Sequence, residues 1–275
     1  MAHTLQERYS SLVDAKLRAT LVLKDGVIFN TRYEGQPTAG SVKIPVRDTE
    51  VAVADYDKSN GASLTEGSTT YKQVLIDKDI AVNELIDGYD AAAVPDNLTA
   101  DRLDSAAYSL AKRLDADSVA VLEDTANSTT LLDTATLTKS NVYEKIVAAR
   151  TALSKANVPT NGRFLLVTPD VYALLLQDTT HFIRSTQMGD DIVTNGAVGK
   201  IAGFTVYECT TLSATTNFIA GHPDWCVRVQ EWMSPVELNS LKGSGKYIGA
   251  SAVQGRKVYG HFITKAVAVQ VSKNA

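Results

Sequence analysis

A chain of 275 residues that is 44% hydrophobic and 21% charged can bury a large core and is too apolar to be intrinsically disordered. With 27 Lys and Arg against 31 Asp and Glu, its formal charge of -4 excludes the strongly basic surface of a dedicated nucleic-acid reader. Cys209 and Cys226 make neither a metal pattern nor a disulfide framework, which points to a reducing cytosol, and no window reaches the roughly 18 apolar residues of a membrane span or resembles a signal peptide.

Residues 4–23 are predicted to be helical, since Leu5, Tyr9, Leu12, Val13 and Leu17 share one face, with Lys24-Asp25-Gly26 as the break. Residues 27–40 hold too many turn formers for a regular element. They are expected to cross a surface as an extended arm that buries itself against a neighbouring subunit. Alternation of Val42, Ile44, Val46, Val51 and Val53 predicts a strand over 41–54, and a second strand over 71–82 follows a polar tip. Two strands bury too little apolar surface to stand alone, so this long hairpin needs a partner. A tip of about fifteen residues without structure of its own is usually functional.

From Pro95 to Asn127 the apolar residues Leu98, Leu103, Ala106, Ala107, Leu110, Leu114, Val121 and Leu122 recur at three- and four-residue steps. Asp101, Arg102, Asp104, Lys112, Arg113 and Asp115 cover the remaining face. The pattern predicts an amphipathic helix over about 97–126, capped by Asp96 or Thr99 and close to 40 Å long at about 1.5 Å per residue. Residues 129–139 read as a connection. Asn141 and Glu144 suggest a capping box for a helix that turns Ile146, Ala149, Leu153 and Ala156 inward and ends at Val158-Pro159. A buried strand over 163–167 follows, then Thr168 as cap, Pro169 at the first helical position and a short helix through Leu176. Residues 178–200 look loop-like, and strands are expected at 203–209, 217–222, 235–239, 247–251 and 257–271.

No catalytic or ligand-binding motif is complete in the sequence. Gly196-Ala-Val-Gly-Lys200 fails as a phosphate loop, because Thr194 stands where the first glycine belongs and Ile201 follows the lysine. Residues 243–249 are one position out of register for a dinucleotide fingerprint. His3, His181, His222 and His261 are widely spaced, and His222 with Cys226 finds no second pair of metal ligands, which favours a satisfied structural role. Asp115 and Asp117 point in different directions on a helix. No cofactor is expected, and nothing assembles a nucleophile, base and oxyanion donor. A structural, self-assembling protein is therefore the first expectation and a small-molecule enzyme the distant competitor.

Tyr33-Glu-Gly with Gly40-Ser-Val-Lys-Ile-Pro-Val46, the segment Val74-Leu-Ile-Asp-Lys-Asp-Ile-Ala-Val-Asn-Glu-Leu-Ile-Asp87, and Ala106-Ala-Tyr-Ser-Leu-Ala-Lys-Arg-Leu-Asp115 resemble, in that order, the major capsid proteins of tailed bacteriophages with the HK97 fold. The closing Gly255-Arg-Lys-Val-Tyr-Gly-His-Phe-Ile-Thr-Lys-Ala-Val-Ala-Val269 is similar to their last strand. The resemblance implies an α+β fold with an N-terminal arm over 1–40 and an E-loop hairpin over 41–82. It also implies a peripheral domain over 83–140 and 228–275 with the long helix as spine, and an inserted axial domain over 141–227. It implies pentamers and hexamers in an icosahedral shell around double-stranded DNA without sequence-specific contact, assembled in a host bacterial cytoplasm with no membrane. Portal and scaffolding proteins are implied partners, the latter as a separate chain unless a leading segment has been removed. Implied contacts between subunits are Tyr33 in the arm, Asp57, Lys58, Asn60, Glu66 and Lys72 in the hairpin, Asp77 and Lys78 at its end, and Gly189, Asp190 and Asp191 in the axial loop. Lys58 and Lys72 carry no pattern that implies covalent cross-linking. An encapsulin-like cellular shell is the alternative within the same fold.

Overall fold

The computed structural model describes residues 16–32, 40–46, 50–62, 66–67, 69–88, 98–133, 136–177, 183–184, 197–242 and 245–274. In chain order the elements are β1 (Ser41–Val46), β2 (Thr70–Leu75), β3 (Lys78–Ile86), α1 (Leu98–Glu123), β4 (Thr129–Asp133), α2 (Val142–Lys155), β5 (Phe164–Val167) and α3 (Pro169–Gln177). There follow β6 (Ile183–Arg184), β7 (Ala197–Ile201), β8 (Phe204–Glu208), β9 (Thr216–Gly221), β10 (Cys226–Ser240), β11 (Ser251–Ile263) and β12 (Val269–Asn274). The fold is mixed α and β. It holds a two-stranded β1-β2 hairpin, a three-stranded sheet in the order β10-β11-β3, and a seven-stranded sheet in the order β4-β12-β9-β5-β8-β7-β6.

The seven-stranded sheet is covered on both faces, which is why Phe164-Leu-Leu-Val167 is an unbroken apolar run rather than an alternating one. Leu165 and Val167 face a core built with Val142, Ile146, Ala149 and Leu153 of α2 and Val171 and Leu175 of α3. Phe164 and Leu166 face the opposite core, which takes in Val119 and Leu122 of α1 and Val22, Leu23, Ile28 and Phe29 from the N-terminal segment. Arg163, just before β5, is buried without a carboxylate among the acceptors it uses. Its guanidinium donates to the carbonyls of Pro159, Val158 and Arg150 and to Ser154 Oγ, holding the C-terminal end of α2, where the helix dipole favours a cation.

Helix α1 has 26 residues, about 39 Å at 1.5 Å per residue, and it bridges two cores. Near its start Ala106 packs with Ile86 and Val253 of the three-stranded sheet. Near its end Val119 and Leu122 pack on the larger sheet. The expected apolar face is correct at Ala106, Leu110, Leu114 and Leu122, whereas Ala107 is exposed and Asp115, expected in solvent, is buried.

The reason lies in the N-terminal segment, where the expected helix over 4–23 is not formed in the described part, residues 16–23, and the rest lies outside the described residues. Residues 16–30 form a strap, whose first part, 16–24, runs extended along α1. Lys16 pairs with Asp101 and Arg18 with Asp104, both at 2.6 Å, Tyr108 donates its hydroxyl to Ala19 O at 3.2 Å, and Val22 and Leu23 donate their N–H groups to Asp115. The spacing follows from geometry. Seven extended residues cover roughly 23 Å and fourteen helical residues about 21 Å, so one strap residue matches two positions of the helix. Leu17, expected on an inner helical face, is fully exposed.

Farther along the strap, Gly26 adopts a φ of +79° and donates its N–H to Phe29 O at 2.7 Å, a tight turn that drives Ile28 and Phe29 into the core. Asn30 then joins β10, donating its N–H to Cys226 O and accepting that of Arg228. The first four residues of the expected surface arm thus belong to the chain's own core.

Further corrections concern lengths and partners. The strand expected over 41–54 stops at Val46, and the strand expected over 71–82 is two strands that part at Ile76-Asp77, with β2 pairing β1 and β3 pairing β11. Residues 129–133, expected as a connection, form β4 in parallel pairing with β12. Asn141 makes no capping bond. Its side chain turns back to Thr138 N and Thr136 O, whereas Thr168 does accept the N–H of Val171, at 3.4 Å, at the start of α3. Residues 197–201 form β7 where a loop was expected, and 235–239 are part of the 15-residue β10, whose register shifts on either side of Ser234 before Pro235. Residues 247–250 are not a strand. The run expected over 257–271 is interrupted by a 3-10 turn at Ala266–Ala268, where the chain passes from one sheet to the other. Strands β4 and β12, from segments expected in the peripheral domain, sit in one sheet with the strands of 141–227.

Candidate functional site

The β1-β2 hairpin has an inner and an outer face because cross-strand partners point the same way. Val42 lies opposite Val74, Ile44 opposite Lys72 and Val46 opposite Thr70. Ile44, Val46 and Val74 form a small core with Val227 and Val229 of β10, joined by Val42, Ile76 and Phe262. Lys72 donates from Nζ to Thr264 O at 2.8 Å, and Ile76 N donates to Gly40 O at 3.1 Å, closing the base. Gly260 of β11 permits this docking. A Cβ there would lie 2.3 Å from Leu75 O, so only glycine allows the backbones to approach so closely. The outer face carries exposed Tyr71 and Leu75.

Beyond the base, residues 50–56 form no strand and are exposed throughout. Val53 is 98% exposed, Val51 87% and Tyr56 76%. The chain then turns on Asp57. Asp57 and Gly61 exchange backbone hydrogen bonds at 3.1 and 2.7 Å, Asp57 Oδ1 accepts the N–H groups of Ser59 at 2.6 Å and Asn60 at 3.3 Å, and Gly61 has a φ of +73°. Those backbone donors hold the Asp57 carboxyl below the usual carboxylate range, so the turn keeps its anion into acid. The tip is preformed and has three apolar side chains in water.

The candidate contact residues separate into four groups. Asp57 and Asn60 build the turn, with exposed Lys58 between them and exposed Glu66 beyond it. Lys72 is instead an anchor to the chain's own body. Asp77 and Lys78 sit side by side at 4.0 Å in solvent, while the neighbouring Asp79 carries the bidentate pair with Arg256, at 2.9 and 2.5 Å. Tyr33, Gly189, Asp190 and Asp191 lie outside the described residues.

No sequence motif indicated the polar groups that lock the base. Arg228 of β10 reaches Asp25 of the strap, Gln230 donates to the same carboxylate, and Tyr259 donates its hydroxyl to Asp117 of α1 at 2.6 Å. The available signal was a charged residue inside the apolar run Cys226-Val-Arg-Val229, since a buried guanidinium must find acceptors. His222 is structural. Its Nδ1 accepts the N–H of Asp224 at 3.2 Å and its Nε2 contacts Asn161 O at 2.8 Å, so both ring nitrogens are engaged. Burial pushes the thiols of Cys209 and Cys226 upward, which leaves both unreactive. Among the described residues no group of three or more His, Cys, Asp and Glu could hold a metal ion, and no helix is long and apolar enough to cross a membrane.

The whole fold has structural neighbours. A structure from Mycobacterium phage Che8 is similar with a TM-score of 0.76 at 24% identity, covering 98% of this chain and 96% of that one. The capsid of the cyanophage P-SCSP1u is similar with a TM-score of 0.76 at 15% identity, covering 98% and 93%. The capsid of an empty GTA particle is similar with a TM-score of 0.71 at 13% identity, covering 98% and 95%. No curated protein matches the sequence. A protein-family model described as phage capsid protein matches residues 69–264, which takes in every element from β2 to β11, and the chain therefore belongs to the phage capsid protein family, a structural component of the bacteriophage shell and not an enzyme.

Proposed function

We propose that this is the major capsid subunit of an HK97-type shell, in which the β1-β2 hairpin serves as the E-loop that overlaps a neighbouring copy. The observation that carries this reading is the hairpin itself. Its base is anchored on β10 and β11, while Val51, Val53 and Tyr56 project into water around the preformed Asp57 turn. Burying three such side chains contributes roughly 1.5–3 kcal/mol each, and a closed shell repeats that gain at every subunit. The E-loop spans 41–82, its far strand passing at Ile76-Asp77 into β3, which pairs with β11. Residues 1–40 act as the arm, with 16–32 anchored on α1 and in the core. Residues 83–140 and 228–275 form the peripheral domain and 141–227 the axial domain, whose sheet β4 and β12 complete. Pentamers and hexamers assemble in the host cytoplasm with a separate scaffolding protein and a portal, and the finished shell encloses double-stranded DNA.

The contact residues are Asp57, Lys58, Asn60 and Glu66 at the tip, Asp77 and Lys78 at its end, Tyr33 in the arm, and Gly189, Asp190 and Asp191 in the axial loop. Lys72 acts through the anchor it makes within the subunit. Deleting residues 57–68 tests the reading. The expected result is a subunit that still melts cooperatively and forms no shells by negative-stain microscopy. Normal particles from that deletion would overturn it.

A further inference from the structure

A polar cluster lies where the strap, α1, β10 and β11 cross, and the proposed assembly role makes no use of it. Arg228, 4% exposed, donates to Asp25 at 2.8 Å from Nε, with Nη2 at 2.7 Å from the same oxygen, and from Nη1 to Ser118 Oγ at 3.2 Å. Ser118 Oγ is also 2.7 Å from Leu114 O and 2.7 Å from His261 Nε2. Phe29 of the strap is held from two sides. The Arg228 guanidinium lies 5.0 Å from its ring centroid, and the His261 ring meets it edge-on at 5.5 Å. One hydroxyl thus separates an arginine from a histidine, and both grip the same strap residue.

We propose that this cluster is a proton-released latch: it holds strap residues 22–30 while His261 is neutral and lets them go when His261 gains a proton. The charges around the ring are set against a second cation. Arg228 faces it from β10 and Lys78 from β3, both disfavouring protonation, and Asp117 faces it from α1 in favour. Lys257 of β11 lies in the field of Arg228 and Asp25. The nearby carboxylates are committed, Asp117 to Tyr259 and Arg113, and Asp25 to Arg228 and Gln230. Burial first and Arg228 second push the His261 pKa down to about 3. An imidazole freed into water returns to about 6.5, so acid favours the state in which the ring is exposed.

The strap is the element that yields. Residues 16–24 are extended and pair with α1 through the Lys16–Asp101 and Arg18–Asp104 ion pairs, and exposed pairs of that kind contribute only about 0–1 kcal/mol each. Residues 22–30 are therefore held chiefly by the burial of Val22, Leu23, Ile28 and Phe29 and by the cluster, and protonation adds to the fraction of molecules in which that hold opens. Releasing Phe29 and Asp25 opens the cluster to water while α2, β5 and β9 keep their packing in the opposite core. Asp115 of α1, which accepts from Val22 and Leu23, is a second titratable group held against the strap, and burial raises its pKa.

Hydrogen exchange on the full-length chain, read by peptide mass spectrometry and corrected for the intrinsic rate, tests the latch. Between pH 6.5 and pH 4.5, opening of residues 22–30 should rise by at least tenfold, toward a limit of roughly 50-fold for a site moving from about 3 to about 6.5. Residues 164–167 should stay protected. His261→Gln should remove most of that rise, while Asp115→Asn should keep it. A strap that opens equally at both pH values, or a rise that survives His261→Gln and vanishes in Asp115→Asn, would overturn the proposal. Should His261→Gln fail to fold, histidine ring NMR of the unaltered protein decides: a His261 ring that titrates in step with the opening of residues 22–30 supports the latch, and a ring that titrates without that opening, or an opening without ring titration, refutes it.

Discussion

Leu110 and Asp115 are both buried on α1, but they answer to substitution differently. Leu110→Asp places a carboxylate on the packed face with no cation to receive it, a change worth more than about 4 kcal/mol against a total stability of roughly 5–15 kcal/mol. The expected outcome is loss of cooperative melting, with Leu110→Met as a control that stays within about 1.5 kcal/mol. Asp115 is tolerated because Val22 and Leu23 give it two N–H donors and Arg228 lies nearby. The periodicity of α1 was legible at Leu110, since a leucine in register with Ala106 and Leu114 carries its own burial signal. It was not legible at Asp115, because the donors that make burial affordable stand some ninety positions earlier in the chain. Arg228 and His261 were hidden for the same reason, each satisfied by partners that come together only in the fold.

The hairpin shows what decides an element. Its strands were readable from alternation, yet the place where it ends was not, because β2 and β3 continue the same alternating pattern across Ile76-Asp77 while belonging to different sheets. Gly260 marks that division physically. Gly260→Ala drives a methyl group into the Leu75 carbonyl, and because backbone cannot swing aside as a side chain can, the hairpin base must shift at a cost of about 1–3 kcal/mol. Faster hydrogen exchange at residues 70–75 with unchanged protection at residues 164–167 is the expected result, together with fewer particles by microscopy. The exposed apolar tip was legible only in part. Val51 and Val53 read as core residues of a strand, and the structure instead holds them in water.

For the molecule as a whole, acid is the informative variable. His261 has a lowered pKa in the folded state, so its contribution is fully present above its unfolded value near 6.5 and is lost as pH falls toward about 3. Asp115 has the opposite sign. Its raised pKa contributes stability that is fully present below about 3.8 and fades as pH rises through the folded value, an offset that opposes the His261 effect. Stability by urea denaturation should therefore fall by about 2 kcal/mol, as an upper bound, between pH 7 and pH 5, and His261→Gln should flatten that fall. An equal slope in both proteins would show that other groups govern the acid limb. The phage capsid family match fixes the structural role at this scale. What the subunit does is written in how its surfaces are mounted rather than in a reactive group.

Some features required nothing beyond the local pattern: the length and main apolar face of α1, the inward positions of α2, the doubly buried run of β5 and the turn at Gly26. Each is set by residues within a few positions of one another, so periodicity and turn chemistry determine it. The tertiary structure decided the rest. Residues 16–24 became a strap rather than a helix because α1 presents Asp101, Asp104, Tyr108 and Asp115 at a spacing that an extended chain matches. The strand over 71–82 divided because two different sheets compete for its hydrogen bonds. Contacts between distant positions have no periodicity to announce them, and in this chain those contacts mount both the strap and the hairpin.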